Sequence, residues 1–99
     1  MNPNELNKII HERVRLAIMS TLVTRGKLNF PKLKKMLRVT DGNLSAHTSI
    51  LEQHGLIQVE KDFDGKKPRT TFSITKEGRK RFLEYITELE LMLSQVKSA

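Results

Sequence analysis

Apolar residues recur along this chain with two periods, and the change of period marks where helices give way to strands. Leu6, Ile9, Ile10, Val14, Ala17, Ile18 and Leu22 follow helical spacing, and Asn2-Pro3-Asn4-Glu5 reads as a helix start. Asn2 can cap, Pro3 suits the first turn, and Glu5 can close a capping box. A first helix is therefore predicted over 2–24, with Gly26 as its stop and its opening part extending beyond the local core. Lys27 to Asn29 fits a very short strand. Asn29 then caps a second helix over 29–38, with Leu28 and Leu33 as a hydrophobic staple and Phe30, Leu33, Met36 and Leu37 as its buried stripe. After a brief turn at Arg38-Val39, Thr40 caps a third helix over 40–54, and Gly55 suits the left-handed residue that ends it.

From Leu56 the period becomes two. Leu56, Ile57 and Val59 open a strand, Asp64-Gly65 signals a hairpin turn, and Thr70 to Ile74 return, giving a hairpin over 56–74. Thr75 caps a last helix over 75–97, carried by Phe82, Tyr85, Ile86, Leu89, Met92, Leu93 and Val96. The predicted order is α-β-α-α-β-β-α in one domain spanning 1–99. It is mainly α with a small β-hairpin wing: a winged helix-turn-helix with a long C-terminal dimerisation helix.

Charge narrows the partner. Eighteen Lys and Arg against eleven Asp and Glu give a formal charge of +7 and a pI near 10, which favours nucleic acid or another anionic surface. The chain has no cysteine, which removes disulfides, thiolate metal sites and cysteine nucleophiles. The opening MNPNELNKII has neither a basic-then-apolar leader nor a bilayer-spanning run, so the expectation is a cytoplasmic protein without a membrane partner.

Within the third helix, Leu44, Leu51 and either His47 or Thr48 should face inward. The opposite face then shows Gly42, Asn43, Ser45, Ala46 and Ser49, small or polar side chains that let a helix seat in a major groove about 12 Å wide. An ordinary surface helix is the competing reading, although such a face more often carries Lys, Glu or Gln. His47 fits a partly buried position that also reaches the groove or a phosphate. The hairpin tip brings Lys66, Lys67 and Arg69 within reach of phosphates or a minor groove, with a solvated basic loop as the alternative. Arg25, Lys27, Lys32, Lys34, Lys35 and Arg38 form a run without an acidic residue, where phosphate anchors belong in a helix-turn-helix; Thr40 joins Lys32, Lys34, Lys35 and Arg38 in that set. Phe82, Leu89 and Val96 repeat every seven residues with Tyr85 and Met92 offset by three, an a/d seam that Ile86 and Leu93 widen. Leu6, Ile9 and Ile10 offer surplus apolar surface, so pairing of the first and last helices across a two-fold axis would make a homodimer. A core-packing helix is the simpler alternative. His11, His47 and His54 are scattered without carboxylates or thiols at ligand spacing, so no metal, cofactor or catalytic arrangement is expected.

The segments R-L-x-I-M-x-x-L (Arg15 to Leu22), L-x-F-x-x-L-K (Leu28 to Lys34), T-D-G-N-L-S-x-H (Thr40 to His47), L-E-x-x-G-L-I (Leu51 to Ile57), F-x-G-K-K-P-R-T (Phe63 to Thr70) and I-T-x-x-G-R (Ile74 to Arg79) together resemble small prokaryotic winged-helix transcriptional regulators. They are similar to single-domain relatives of the MarR and ArsR repressors over residues 11 to about 90. The resemblance implies a dimeric DNA-binding regulator, with the third helix in the major groove and the hairpin as wing. Thr48 departs from it, standing where such regulators usually carry Leu. The metal-binding cysteines of many ArsR sensors and the extra helices of a MarR ligand pocket are missing, so no effector is assigned. The leading expectation is a non-enzymatic, homodimeric reader of double-stranded DNA, a repressor on a pseudo-palindromic operator. The competing expectation is a winged-helix module for protein–protein assembly in a transcription or RNA-processing complex.

Overall fold

The computed structural model describes residues 6–99, so the expected Asn2, Pro3 and Glu5 helix start lies outside the described residues. The elements are α1 (Arg13–Arg25), β1 (Leu28–Asn29), α2 (Phe30–Leu37), α3 (Asp41–Gln53), β2 (Ile57–Asp64), β3 (Lys67–Ile74) and α4 (Lys76–Ser98). Helices begin where a side chain can satisfy the free N–H groups of the first turn. Asn29 accepts from the Lys32 N–H at 2.9 Å, Thr40 from Asn43 at 3.1 Å, and Thr75 from Gly78 at 2.9 Å.

The first helix departs from its expected span. It starts at Arg13 because Glu12 is extended and caps it, accepting from the N–H groups of Val14 and Arg15 at 3.0 and 2.9 Å. Upstream, the Asn7 side chain accepts from Ile9 and Ile10, which offers that backbone an alternative to the helical ladder. The hydrophobic spacing could not reveal this break, because the same residues turn inward in either conformation. Leu6 and Ile10 are 8% and 0% exposed within the single chain, so they are core and not the surplus surface expected for a dimer. Phe82 and Tyr85, read as seam residues, are buried in that core as well, at 6% and 2%. The burial of Tyr85 raises its phenol above the ordinary range. Its hydroxyl meets His11 Nδ1 at 2.6 Å and ties the N-terminal segment to α4.

The antiparallel sheet has the order β1-β3-β2, with Leu28 opposite Phe72 and Ile57 opposite Ile74. Asp64 pairs with Lys67, leaving Gly65-Lys66 as a two-residue turn. Gly65 has φ 66° while Lys66 keeps negative φ, the pattern of a type II′ hairpin. The core gathers Ile18, Met19 and Leu22 of α1, Leu33 of α2, Leu44 and Leu51 of α3, Phe72 of β3, and the start of α4. Met36 is exposed, contrary to the stripe expected for the second helix.

Glu12 gives the fold an acid-sensitive joint. Partial burial works to raise its carboxyl, but the backbone donors of Arg15 and Val14, then the charges of His47 and Arg15, outweigh this and hold it below the usual range. A depressed folded-state value stabilises the fold above the unfolded value and loses that contribution as pH falls through the folded one. Wild type should therefore lose stability below roughly pH 4.3, the ordinary glutamate value, more steeply than Glu12→Gln. Urea midpoints at about pH 6 and about pH 3 check this; an equal drop in both chains would remove the charged cap from the account.

Candidate nucleic-acid interface

Leu44, Thr48 and Leu51 are the buried residues of α3. A threonine in this row carries a hydroxyl that must be satisfied. Thr48 Oγ1 does so within its own helix, donating to the Leu44 carbonyl at 2.7 Å and approaching the Ser45 carbonyl at 3.2 Å. The Thr48 departure is thus accommodated without exposing α3's inner side. Outward, Gly42, Asn43, Ser45, Ala46 and Ser49 are all exposed, as their spacing implied.

His47 is drawn off that outer face. Its side chain is 22% exposed, with Nδ1 3.0 Å from Arg15 Nη1 and 3.5 Å from Glu12 Oε1. A guanidinium only donates, so Nδ1 either accepts from Arg15 or donates to Glu12. Either way that nitrogen is committed to the start of α1, and only the far side of the ring is left for a ligand.

A groove separates α3 from the sheet. Ser45, Ser49 and Glu52 line one wall, Val59 and Lys61 of β2 and Thr70 of β3 the other. Phe30 and Phe72 meet in the same groove with ring centroids 6.1 Å apart. Lys61 is not among the residues the sequence singles out, since the charge signal concentrates at the hairpin tip. Strand alternation could have found it: residues 57, 59, 61 and 63 share the face that looks at α3.

The other face of the sheet is ion-paired. Arg69 donates through Nε and Nη2 to both carboxylate oxygens of Asp62, at 3.0 and 2.8 Å, as directly opposed cross-strand residues. This pairing holds Asp62 below the usual carboxylate range and raises Arg69 further. Lys27 pairs with Glu60 at 3.3 Å, and Lys32 borders the same cleft. Lys34 meets Asp41 at 2.8 Å, tying the end of α2 to the start of α3. The run of cations was expected to lack acidic partners. Those partners lie outside the run, Asp41 on the next helix and Glu60 on β2, and folding brings them alongside. Lys35, Arg38, Lys66 and Lys67 form no ion pair with the described residues and are exposed. Arg38 holds the left-handed C-cap of α2 at φ 55°, which stops that helix two residues before the Thr40 cap.

A slender helix face, a groove beside it and a hairpin with free cations at its tip together form a winged helix. A family model for the winged helix DNA-binding domain matches residues 14–93. The chain belongs to that family. An uncharacterised protein of Methanocaldococcus jannaschii is 36% identical over 88 residues, covering 89% of this chain and 95% of that one. A transcriptional regulator homologue from Pyrococcus horikoshii is 33% identical, with a TM-score of 0.84 over 89% of this chain and 87% of its own. A regulator assigned to the MarR family from Enterococcus faecalis shares the fold at a TM-score of 0.76 and 23% identity, over 96% of this chain and 87% of its own. This winged-helix protein is thus a DNA-binding transcriptional regulator of MarR-like fold, and its family works by binding, not by catalysis.

Among the described residues, no three His, Cys, Asp or Glu gather where they could hold a metal ion. No helix among them is long and apolar enough to cross a membrane. In α4, Ile86, Leu89 and Met92 are half-buried, while Leu93 and Val96 are 48% and 69% exposed. Leu83 and Leu91, absent from the expected seam, are also exposed and lie off its stripe.

Proposed function

We propose that this winged-helix chain is a cytoplasmic homodimeric repressor that occupies a pseudo-palindromic operator. The observation that carries the reading is the small-residue face of α3, which opens onto the groove shared with Lys61 and lies beside a wing tip with unpaired cations. In this reading Gly42, Asn43, Ser45, Ala46 and Ser49 meet the major groove. Thr40, Lys35, Arg38, Lys66 and Lys67 take phosphates, and His47 acts chiefly by holding α3 against α1. Lys34 and Arg69 serve more as braces than as free anchors, because each is ion-paired to a carboxylate, whereas Lys32 is exposed, forms no ion pair among the described residues and takes a phosphate.

The dimer in this reading uses the outer half of α4, where Leu93 and Val96 stand exposed next to Ile86, Leu89 and Met92. The 57 Å long axis of the molecule exceeds its other extents of 25 and 21 Å, and α4 is the longest element. Symmetric pairing through that helix would set two readers about one helical turn, some 34 Å, apart on the duplex.

Selection of bound sequences from random duplex DNA tests the proposal. A two-fold symmetric motif is expected, together with a solution mass near twice the 11.4 kDa chain. An asymmetric motif bound by a monomer would overturn the dimer. Within that motif, Asn43→Ala should cost about 1–3 kcal/mol at one base position, the range of one good side-chain-to-base contact. Equal weakening on every sequence would show that Asn43 does not read bases.

A further inference from the structure

Of the four phenylalanines and one tyrosine in the chain, Phe63 alone is exposed, at 69%. It adds little to the core, yet it sits two residues before the turn glycine, directly opposite Pro68. Alternation places it on the face of Val59 and Lys61, the face turned to α3, whereas Asp62 and Asp64 project from the opposite face. Asp62 is further neutralised by Arg69. An apolar pair therefore stands on the face of Lys61, next to Lys66 in the turn, while Asp62, Asp64 and the Lys67 opposite Asp64 lie on the other face.

We propose that Phe63, backed by Pro68, is an apolar wedge that enters the minor groove beside the site read by α3 and opens a base step there. The inference rests on the reading of α3 and wing as the duplex-facing surface. Apolar wedges flanked by cations unstack minor-groove steps, the cations holding the phosphates while the ring replaces lost base stacking. Pyrimidine–purine steps deform most easily. Phe63 would thus select for such a step outside the bases that α3 touches, adding specificity through deformation and not through hydrogen bonds.

The chain has no tryptophan, so Phe63→Trp provides a clean fluorescence reporter at the wing. Its emission should be quenched on titration with a pool of 30-bp random duplexes. Phe63→Ala should bind that pool about tenfold more weakly, within the range for one aromatic stacked on a base, with an unchanged salt slope. Phe63→Leu, still an apolar wedge, should keep most of the affinity. DNA selected by wild type should carry a pyrimidine–purine step flanking the motif that Phe63→Ala no longer enriches. If salt-sensitive binding persists while the Phe63→Trp emission stays constant, or if Phe63→Ala matches wild type in affinity and selected flanks, the wedge is refuted and the α3 reading stands. Failure of the unsubstituted chain to retain any duplex would overturn both.

Discussion

Gly78→Ala is expected to lower the thermal midpoint by roughly 10–20 °C, the shift that about 2–3 kcal/mol of overpacking produces in a domain of this size. Gly78 lies buried in the first turn of α4, three residues after its cap. A Cβ there would fall well inside contact distance of the Leu56 carbonyl oxygen, 2.8 Å from its carbon and 3.0 Å from Ile74 Cγ1. The obstructing atoms are backbone, and the Leu56 carbonyl already accepts the Thr75 N–H at 3.2 Å. The start of α4 can relieve the clash only by lifting off the entry to β2, which breaks that bond and loosens Leu56, Ile57 and Phe82 in the core. Gly42→Ala is the control, since nothing lies within 4 Å of a Cβ at that helical position. It should gain about 0.5–1 kcal/mol from the lower backbone entropy of its unfolded chain. A midpoint for Gly78→Ala equal to that of wild type would mean that α4 starts farther from β2 than described.

Removing Lys35, Arg38, Lys66 and Lys67 together is expected to flatten the salt dependence of duplex binding by about three to four units of log–log slope. Extrapolated from about 1 M to about 0.1 M salt, that is roughly a thousandfold to ten-thousandfold in affinity, because each neutralised phosphate releases close to one counterion. These cations are chosen because none has a carboxylate partner among the described residues, so duplex contact would cost them no existing pair. The comparison is Lys34→Ala combined with Arg69→Ala. Both side chains are held by acids, Asp41 and Asp62, and their loss should change the slope by less than one unit per residue. Filter binding from about 0.05 to 0.3 M salt measures both sets. A loss near one unit per residue in both sets would show that the ion pairs open onto the phosphates, and would make Arg69 an anchor after all.

Much of the architecture was legible beforehand, because the signals that set it are local. Asn29, Thr40 and Thr75 cap helices from the positions their residue types suggested, and Gly55 ends α3 with φ 71°. The glycine turn after Asp64 and the period-two residues on either side suffice to predict the hairpin. The outward face of α3 could be read because only three of its residues fit the core, and helical spacing then leaves Asn43, Ser45 and Ser49 outside. The misreadings share a cause. Leu6 and Ile10 looked like surplus surface because hydrophobic spacing does not say which neighbour covers a residue. Arg69 and Lys34 looked free because Asp62 and Asp41 are seven residues away along the chain, at spacings that carry no pairing signal until the backbone is folded.

The order of elements, the caps, the turn and the excess of positive charge follow from the chain alone, since each depends on a few neighbouring residues or on a simple sum. Which cations stay unpaired, that His47 leans on Glu12 and Arg15, and that the face of Lys61 and Phe63 borders the groove beside α3 were decided only by tertiary structure. Those properties depend on distances between different elements, which spacing along the chain does not give. Coulombic pairing and burial act through space, so residues that look equivalent along the chain become brace, core or contact according to what folding sets beside them.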